Sequence, residues 1–132
     1  MSELKELAAE AKHELLTHII PFWRGMRDDK FGGYYGYLSY DLALDEKAEK
    51  GCILNSRITW FFANAYLLYK DGGISEEECE AAGFKGEDLL AEAKHGYEFL
   101  REHCIDKEYG GIFWSLNYDG TPLDTTKHTY NQ

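Results

Sequence analysis

One arginine carries the sharpest chemical signal in the sequence. Arg57 opens the run Arg57-Ile58-Thr59-Trp60-Phe61-Phe62-Ala63-Asn64-Ala65-Tyr66-Leu67-Leu68-Tyr69, in which nearly every other residue is apolar. Read as a helix over 55–70, capped by Asn55 or Ser56, the run is hydrophobic almost all round, a pattern that predicts burial. Arg57 then falls in the first turn, where the helix dipole disfavours a cation. Arg57, Phe61, Asn64 and Leu68 lie on one face at i, i+4, i+7 and i+11. Local rules broken in this way tend to mark functional positions. A guanidinium is permanently charged and presents five donors in a fork, so it suits a sugar oxygen or a developing oxyanion. The competing role is an ion pair with a nearby carboxylate, or a side chain that snorkels to water.

Other residues offer weaker chemistry. Asp28-Asp29 would be a carboxylate pair for glycoside hydrolysis, although adjacent aspartates in a connection more commonly shape turns. His13, His18, His95 and His103 fall on expected helices beside charged neighbours, where rim positions are the default. His128 follows the last turn of the second hairpin, at the expected entrance to a helix, and is a candidate for lining a site and for proton transfer. Trp23, Trp60 and Trp114 would stack on sugar faces or fill the core, and Asn64 would line a site beside Arg57. No glycine-rich phosphate loop and no metal-ligand spacing occur, so neither cofactor nor metal is expected.

The elements that must position these residues follow from periodicity. A helix is expected over 3–20, capped by Ser2 and ended at Pro21, with Leu4, Leu7, Ala8, Ala11, Leu15 and Ile19 on one stripe. Alternation with aromatic enrichment predicts a hairpin over 31–45. The segment 71–86 is loop-like, with a short helix started by the capping box Ser75-x-x-Glu78. A third long helix is expected over 87–104, with Leu89, Ala93, Tyr97, Leu100 and Cys104 on one face. A second hairpin follows over 109–124, turning at Asp119-Gly120.

The hairpins are copies. Phe31-Gly32-Gly33-Tyr34-Tyr35-Gly36-Tyr37-Leu38-Ser39-Tyr40-Asp41 aligns with Tyr109-Gly110-Gly111-Ile112-Phe113-Trp114-Ser115-Leu116-Asn117-Tyr118-Asp119, 78 residues later. Asp41 and Asp119 take the same turn position and are read as structural. A unit of helix, hairpin and helix repeated at this period predicts a stacked or radial architecture. The second copy reaches its hairpin and stops where its second helix would begin, so the 132 residues read as part of a larger domain. Six units would take about 470 residues.

Composition narrows the classes. The chain has 14 basic and 24 acidic residues, a net charge of −10, with no basic stripe for nucleic acid or anionic membranes. No apolar run reaches the roughly 20 residues that span a bilayer. Cys52, Cys79 and Cys104 are odd in number and widely spaced, which suits a reducing cytoplasm.

Several ordered motifs also resemble a known family. Ile20-Pro21-Phe22-Trp23, Phe31-Gly32-Gly33-Tyr34-Tyr35-Gly36, Leu54-Asn55-Ser56-Arg57-Ile58-Thr59-Trp60-Phe61-Phe62 and Lys127-His128-Thr129-Tyr130-Asn131-Gln132 are similar to the N-terminal third of bacterial members of the N-acylglucosamine 2-epimerase family that act on cellobiose. The resemblance implies an all-α (α/α)6 barrel, with 3–20 and 87–104 as outer helices, 55–70 as an inner helix, and the hairpins on the active-site face. Residues 1–132 would be the N-terminal part of one catalytic domain, cut before the second inner helix. The family reaction inverts C2 of the reducing-end glucose of β-1,4 disaccharides through an enediolate, using two histidines and no cofactor. Arg57 matches the family arginine near C1 and C2, and Tyr130 an active-site tyrosine. No histidine here matches the acid/base motifs, which are expected beyond Gln132. The parent would be a cytoplasmic, monomeric isomerase, inactive when reduced to this segment, whose uncovered apolar faces would favour self-association. The alternatives are a carbohydrate-binding fragment without catalysis, a glycoside hydrolase of the same barrel class, and a sibling monosaccharide 2-epimerase or aldose–ketose isomerase.

Overall fold

Two helices meet at a glycine and set the place of everything else. In the computed structural model, which describes residues 2–132, Gly96 of α5 (Gly86–Phe99) abuts Thr59 of α3 (Cys52–Lys70). A Cβ added to Gly96 would lie 2.1 Å from the Thr59 hydroxyl. This approach packs Ile58, Phe62 and Ala65 of α3 with Leu89 and Ala93 of α5, in a core that includes Leu16, Ile20, Met26, Tyr34, Ile74, Cys79 and Phe84. A smaller cluster of Cys52, Phe99, Cys104 and Leu116 seals the end nearest the hairpins.

The N-terminal rod runs past the expected stop. α1 (Glu3–Glu14) passes through a π-helical turn at Leu15–Ile19 into α2 (Ile20–Gly25). Pro21 does not end it, because it sits in the first turn of α2, where a missing N–H is tolerated. The wider turn lets the Ile20 amide reach back to the Leu15 carbonyl. Ser2 takes an N-cap backbone, but its side chain makes no cap bond; its carbonyl receives the Lys5 and Glu6 amides. α1 buries none of its residues, so Leu4 and Leu7 stand in water. The capping box on α4 (Glu76–Ala81) forms as expected. The third long helix also ends in a π turn, Leu100–Cys104, and its Tyr97 points outward rather than into the core.

Helix α3 begins at Cys52, three residues earlier than expected, with Gly51 as its cap. The cause is the strand β1 (Lys50–Gly51), which runs straight into the helix. Neither Asn55 nor Ser56 is a cap, and Arg57 lies beyond the first turn, where the dipole argument no longer applies. The helix is not buried all round either. Phe62 is fully buried, whereas Trp60 is 70% exposed and Leu67 and Leu68 share its open face.

The expected hairpin over 31–45 is not a regular ladder. It holds only the isolated bridges Arg27–Tyr34 and Leu38–Leu44. Gly36 crosses the chain so closely that a Cβ there would lie 1.7 Å from the Glu49 carbonyl oxygen, which leaves no room for a continuous strand. Regular pairing occurs within the second hairpin, in the expected span 109–124, and between that hairpin and the strand that precedes α3. β1 pairs antiparallel with β2 (Ser115–Leu116), and β2 with β3 (Pro122–Asp124) across a bulge, giving a three-stranded sheet in the order β1-β2-β3.

The repeat is nonetheless plain in the hydrogen bonds. Asp28 accepts the Lys30 and Phe31 amides, and Asp106, 78 residues later, accepts those of Glu108 and Tyr109. The Tyr35 amide binds the Met26 carbonyl as Phe113 binds Cys104, and Ser39 pairs with Ala43 as Asn117 pairs with Thr121. Gly32 and Gly33, like Gly110 and Gly111, take positive φ, and the turn residues Leu42 and Gly120 do the same. No helix among the described residues is long and apolar enough to cross a membrane.

Candidate functional site

The open face of α3 and the last residues of the chain come together around Arg57. Its Nη2 donates to the Tyr130 hydroxyl at 2.6 Å, joining residues 73 apart in sequence. Both side chains are exposed, Tyr130 by 73%. Tyr130 sits on a 3-10 turn, Thr129–Asn131, moored to the second hairpin. The Asn131 amide nitrogen donates to the Phe113 carbonyl at 3.2 Å, and Gln132 bonds both backbone groups of Ile112. Because the phenol oxygen accepts from Arg57, its own O–H remains available to a ligand oxygen.

His128 and Trp114 form a second pair beside this turn, edge to face with centroids 4.8 Å apart. Trp114 is anchored by its backbone, since its carbonyl accepts the Cys52 amide that opens α3 and its amide binds the Asp124 carbonyl. Farther along α3, Asn64 donates to the Trp60 carbonyl at 2.8 Å, leaving its side-chain oxygen free. Trp60 and Asn64 line a shallow hollow of about 170 Å³ with Leu15, Phe61, Ala65 and Leu68. The candidate residues therefore fall into a polar group at the hairpin end and an aromatic group farther down one face.

The other sequence candidates have structural roles. Asp28 is buried against Lys50, with Oδ2 2.5 Å from the ammonium group. Burial pushes its carboxyl upward, but the Lys50 ammonium and the Phe31 and Lys30 amides outweigh that and hold it below the ordinary range. Asp29 pairs with Arg27. Asp41 and Asp119 accept turn hydrogen bonds from Ser39 and Thr121. Trp23 packs against the core. His95 is not at a rim: it is half-buried, and its Nε2 donates to the Gly33 carbonyl at 2.8 Å. His103 is likewise half-buried, packed on Phe99 and Gly120, while His13 and His18 are exposed.

Sequence reasoning missed a buried polar network. Glu92 accepts from Tyr34, Arg24 and Arg27, and burial followed by the Glu92 charge drives the Tyr34 phenol well above its usual range. A hollow of about 380 Å³ adjoins it, lined by Arg24, Arg27, Asp29, Asp88, Ala91 and Glu92. Its guanidinium groups are already committed to those carboxylates, so it is no anion site. Among the described residues no cluster of three or more His, Cys, Asp or Glu could hold a metal ion.

The arrangement, a cationic fork bonded to a phenol with aromatic surface nearby, can hold a polyol and stabilise negative charge on oxygen. The sequence as a whole is similar to known proteins. The chain is 50% identical over 125 residues to a cellobiose 2-epimerase of Ruminococcus albus, covering 95% of this chain and 28% of that protein. It is 52% identical over 119 residues to the cellobiose 2-epimerase of Eubacterium cellulosolvens, covering 90% and 26%. The solved cellobiose 2-epimerase of Bacillus thermoamylovorans B4167 superposes with a TM-score of 0.83 at 38% identity, over 96% of this chain and 29% of that one. The chain thus spans little more than a quarter of the length of these relatives. The family model for N-acylglucosamine 2-epimerase matches residues 33–132, and the chain therefore belongs to the N-acylglucosamine 2-epimerase family.

Proposed function

We propose that these residues form the N-terminal part of an (α/α)6-barrel enzyme that inverts C2 of the reducing-end glucose of cellobiose-type disaccharides. The observation that carries this reading is the Arg57–Tyr130 contact on the open face of α3, in a chain half identical to cellobiose 2-epimerases. In such a reaction a base removes the C2 proton and the electron pair moves onto the C1 carbonyl oxygen. Reprotonation of the enediolate from the other face completes the inversion. Arg57 would bind the O1 and O2 oxygens and stabilise the developing charge, while Tyr130 holds the guanidinium and donates its proton to a sugar oxygen. Trp60, Asn64 and His128 would line the site, and no cofactor is required by this chemistry. The acid/base histidines belong to the part of the enzyme that follows Gln132.

A chimera tests this, with residues 1–132 joined to the remainder of the Ruminococcus albus enzyme. It should convert cellobiose to glucosylmannose, and Arg57→Ala should lower kcat by about 100- to 1000-fold, the effect of removing an oxyanion donor. Arg57→Lys should not restore the rate, because a point charge lacks the fork. An unchanged kcat in Arg57→Ala would refute the assignment. The 132-residue chain alone should form no glucosylmannose above background; turnover would contradict the division of labour.

A further inference from the structure

Two carboxamides occupy the same place in the two copies of the repeat. Asn55 accepts the Tyr34 amide through Oδ1 at 2.9 Å and donates to the Gly51 carbonyl at 3.0 Å. Gln132 accepts the Ile112 amide through Oε1 at 2.8 Å and donates to the Ile112 carbonyl at 3.0 Å. In each copy the bound amide belongs to the residue after Gly-Gly. The second glycine has positive φ and lies tight against the carboxamide oxygen. A Cβ would come within 2.7 Å of Asn55 Oδ1 at Gly33 and within 2.6 Å of Gln132 Oε1 at Gly111. The pair is separated by 77 residues, as are Lys50 and Lys127, the lysines that clamp Asp28 and Asp106.

We propose that Asn55 and Gln132 are equivalent latches between hairpin and helix, and that Gln132 is a positioning residue for Tyr130 and, through it, for Arg57. Only the significance of Arg57 as a sugar ligand rests on the proposed function; the latch is a statement about this chain. Asn55 lies on α3 two residues before Arg57 and fixes the height of that helix against the first hairpin. Gln132 lies two residues after Tyr130 and moors the 3-10 turn to the second hairpin. Each latch needs an acceptor and a donor on one planar group. A carboxylate offers only the acceptor, and alanine offers neither. Asn55 is fully buried, so its truncation strands a backbone amide; Gln132 is exposed and can be varied without that cost.

The test uses the whole 132-residue chain and reads the Arg57 Nε–H signal by NMR, assigned through its loss in Arg57→Lys. Tyr130→Phe should displace the signal. Gln132→Ala should displace it in the same direction and lower the exchange protection of the Ile112 amide by roughly tenfold. Gln132→Glu, which keeps the acceptor, should retain most of that protection. Lys127→Met removes the ammonium that clamps Asp106, keeps the apolar stem beside Gly111 and the latch bonds, and should leave the Arg57 signal in place. An Arg57 signal that follows Tyr130→Phe but ignores Gln132→Ala would overturn the proposal, as would an equal displacement in Lys127→Met. Cellobiose titration of the wild-type chain is a separate arm. A shift at Arg57 supports the sugar reading and its absence counts against that reading, while the latch stands or falls on the variants.

Discussion

Deleting the Lys50 ammonium group measures how far this fold depends on one buried charge. The side chains of Lys50 and Asp28 are 0% and 1% exposed. The ammonium lies 2.5 Å from Asp28 Oδ2 and 2.8 Å from the Gly32 carbonyl, and the other carboxylate oxygen takes two amides at 2.9 and 3.0 Å. Lys50→Met keeps the apolar stem and leaves a buried carboxylate with its amides but no countercharge. Truncating one partner of such a pair costs about 3–5 kcal/mol. The surviving amide bonds place the expected loss near the lower end, about 3 kcal/mol, a large share of the roughly 5–15 kcal/mol that holds an ordinary domain. Adding Asp28→Asn to Lys50→Met removes the stranded charge and should recover most of the loss. Lys127→Met is the internal comparison. Its partner Asp106 lies 2.6 Å away, but those side chains are 30% and 12% exposed, so water replaces the missing group and the loss should be clearly smaller. Urea unfolding followed by circular dichroism reads all of these, provided the slopes agree between variants. With a slope of about 1–3 kcal/mol per molar urea, 3 kcal/mol moves the midpoint by about 1–3 M. A Lys50→Met loss no greater than that of Lys127→Met would refute the claim that burial sets the strength of the pair. A double variant as unstable as Lys50→Met alone would refute the stranded-charge explanation.

The same pair has an acid signature. Asp28 is held below its ordinary value of 3.8, so its contribution is complete above that value and is lost as pH falls through the lower folded one. The stability gap between wild type and Asp28→Asn should therefore shrink below about pH 4; a gap that closes at neutral pH would point to another group. Gly96→Ala should cost about 1–3 kcal/mol by overpacking against Thr59, and Thr59→Ala in the same chain should relieve part of it; equal midpoints for wild type and Gly96→Ala would show that α3 and α5 part freely. The open apolar residues Leu4, Leu7, Trp60 and Leu67 should make the chain self-associate, with a sedimentation coefficient that rises with concentration and falls back in Leu67→Glu. A concentration-independent monomer would contradict this.

Legibility in the sequence varied with how local the cause was. The Ser75–Glu78 capping box formed as read because both partners lie within one turn. The 78-residue repeat survives in the turn bonds of Asp28 and Asp106 for the same reason. The strand ladder over 31–45 failed because its disruption is non-local: Gly36 is crossed by Glu49. The start of α3 moved to Cys52 because β1 pairs with β2, some 65 residues away, and no feature of residues 50–55 announces that partner. Pro21 looks like a stop in the sequence because the π turn upstream, at Leu15–Ile19, has no sequence signature of its own. The buried partners Lys50 and Asn55 do have a signal in the sequence, since each has a counterpart, Lys127 and Gln132, at one common offset.

Arg57 was singled out on a premise the fold removes, and the face of α3 explains why the residue still stands out. Composition alone does not separate a helix buried on every side from one whose apolar stripe is left open, because both read as apolar all round. Here the buried stripe is Ile58, Phe62 and Ala65, and the open one is Trp60, Leu67 and Leu68. Arg57 and Asn64 are the polar members of the open stripe, so a cation unsuited to a core instead marks where that surface meets the hairpins. β1 leads into α3 at that end, the second hairpin moors Tyr130 there, and the Trp114 carbonyl holds the first amide of the helix. The second hairpin thus meets the start of the first copy's helix α3. Side chains able to bind oxygen gather where the copies adjoin, at Arg57 and Tyr130, while the aromatic part of the face around Trp60 stands open.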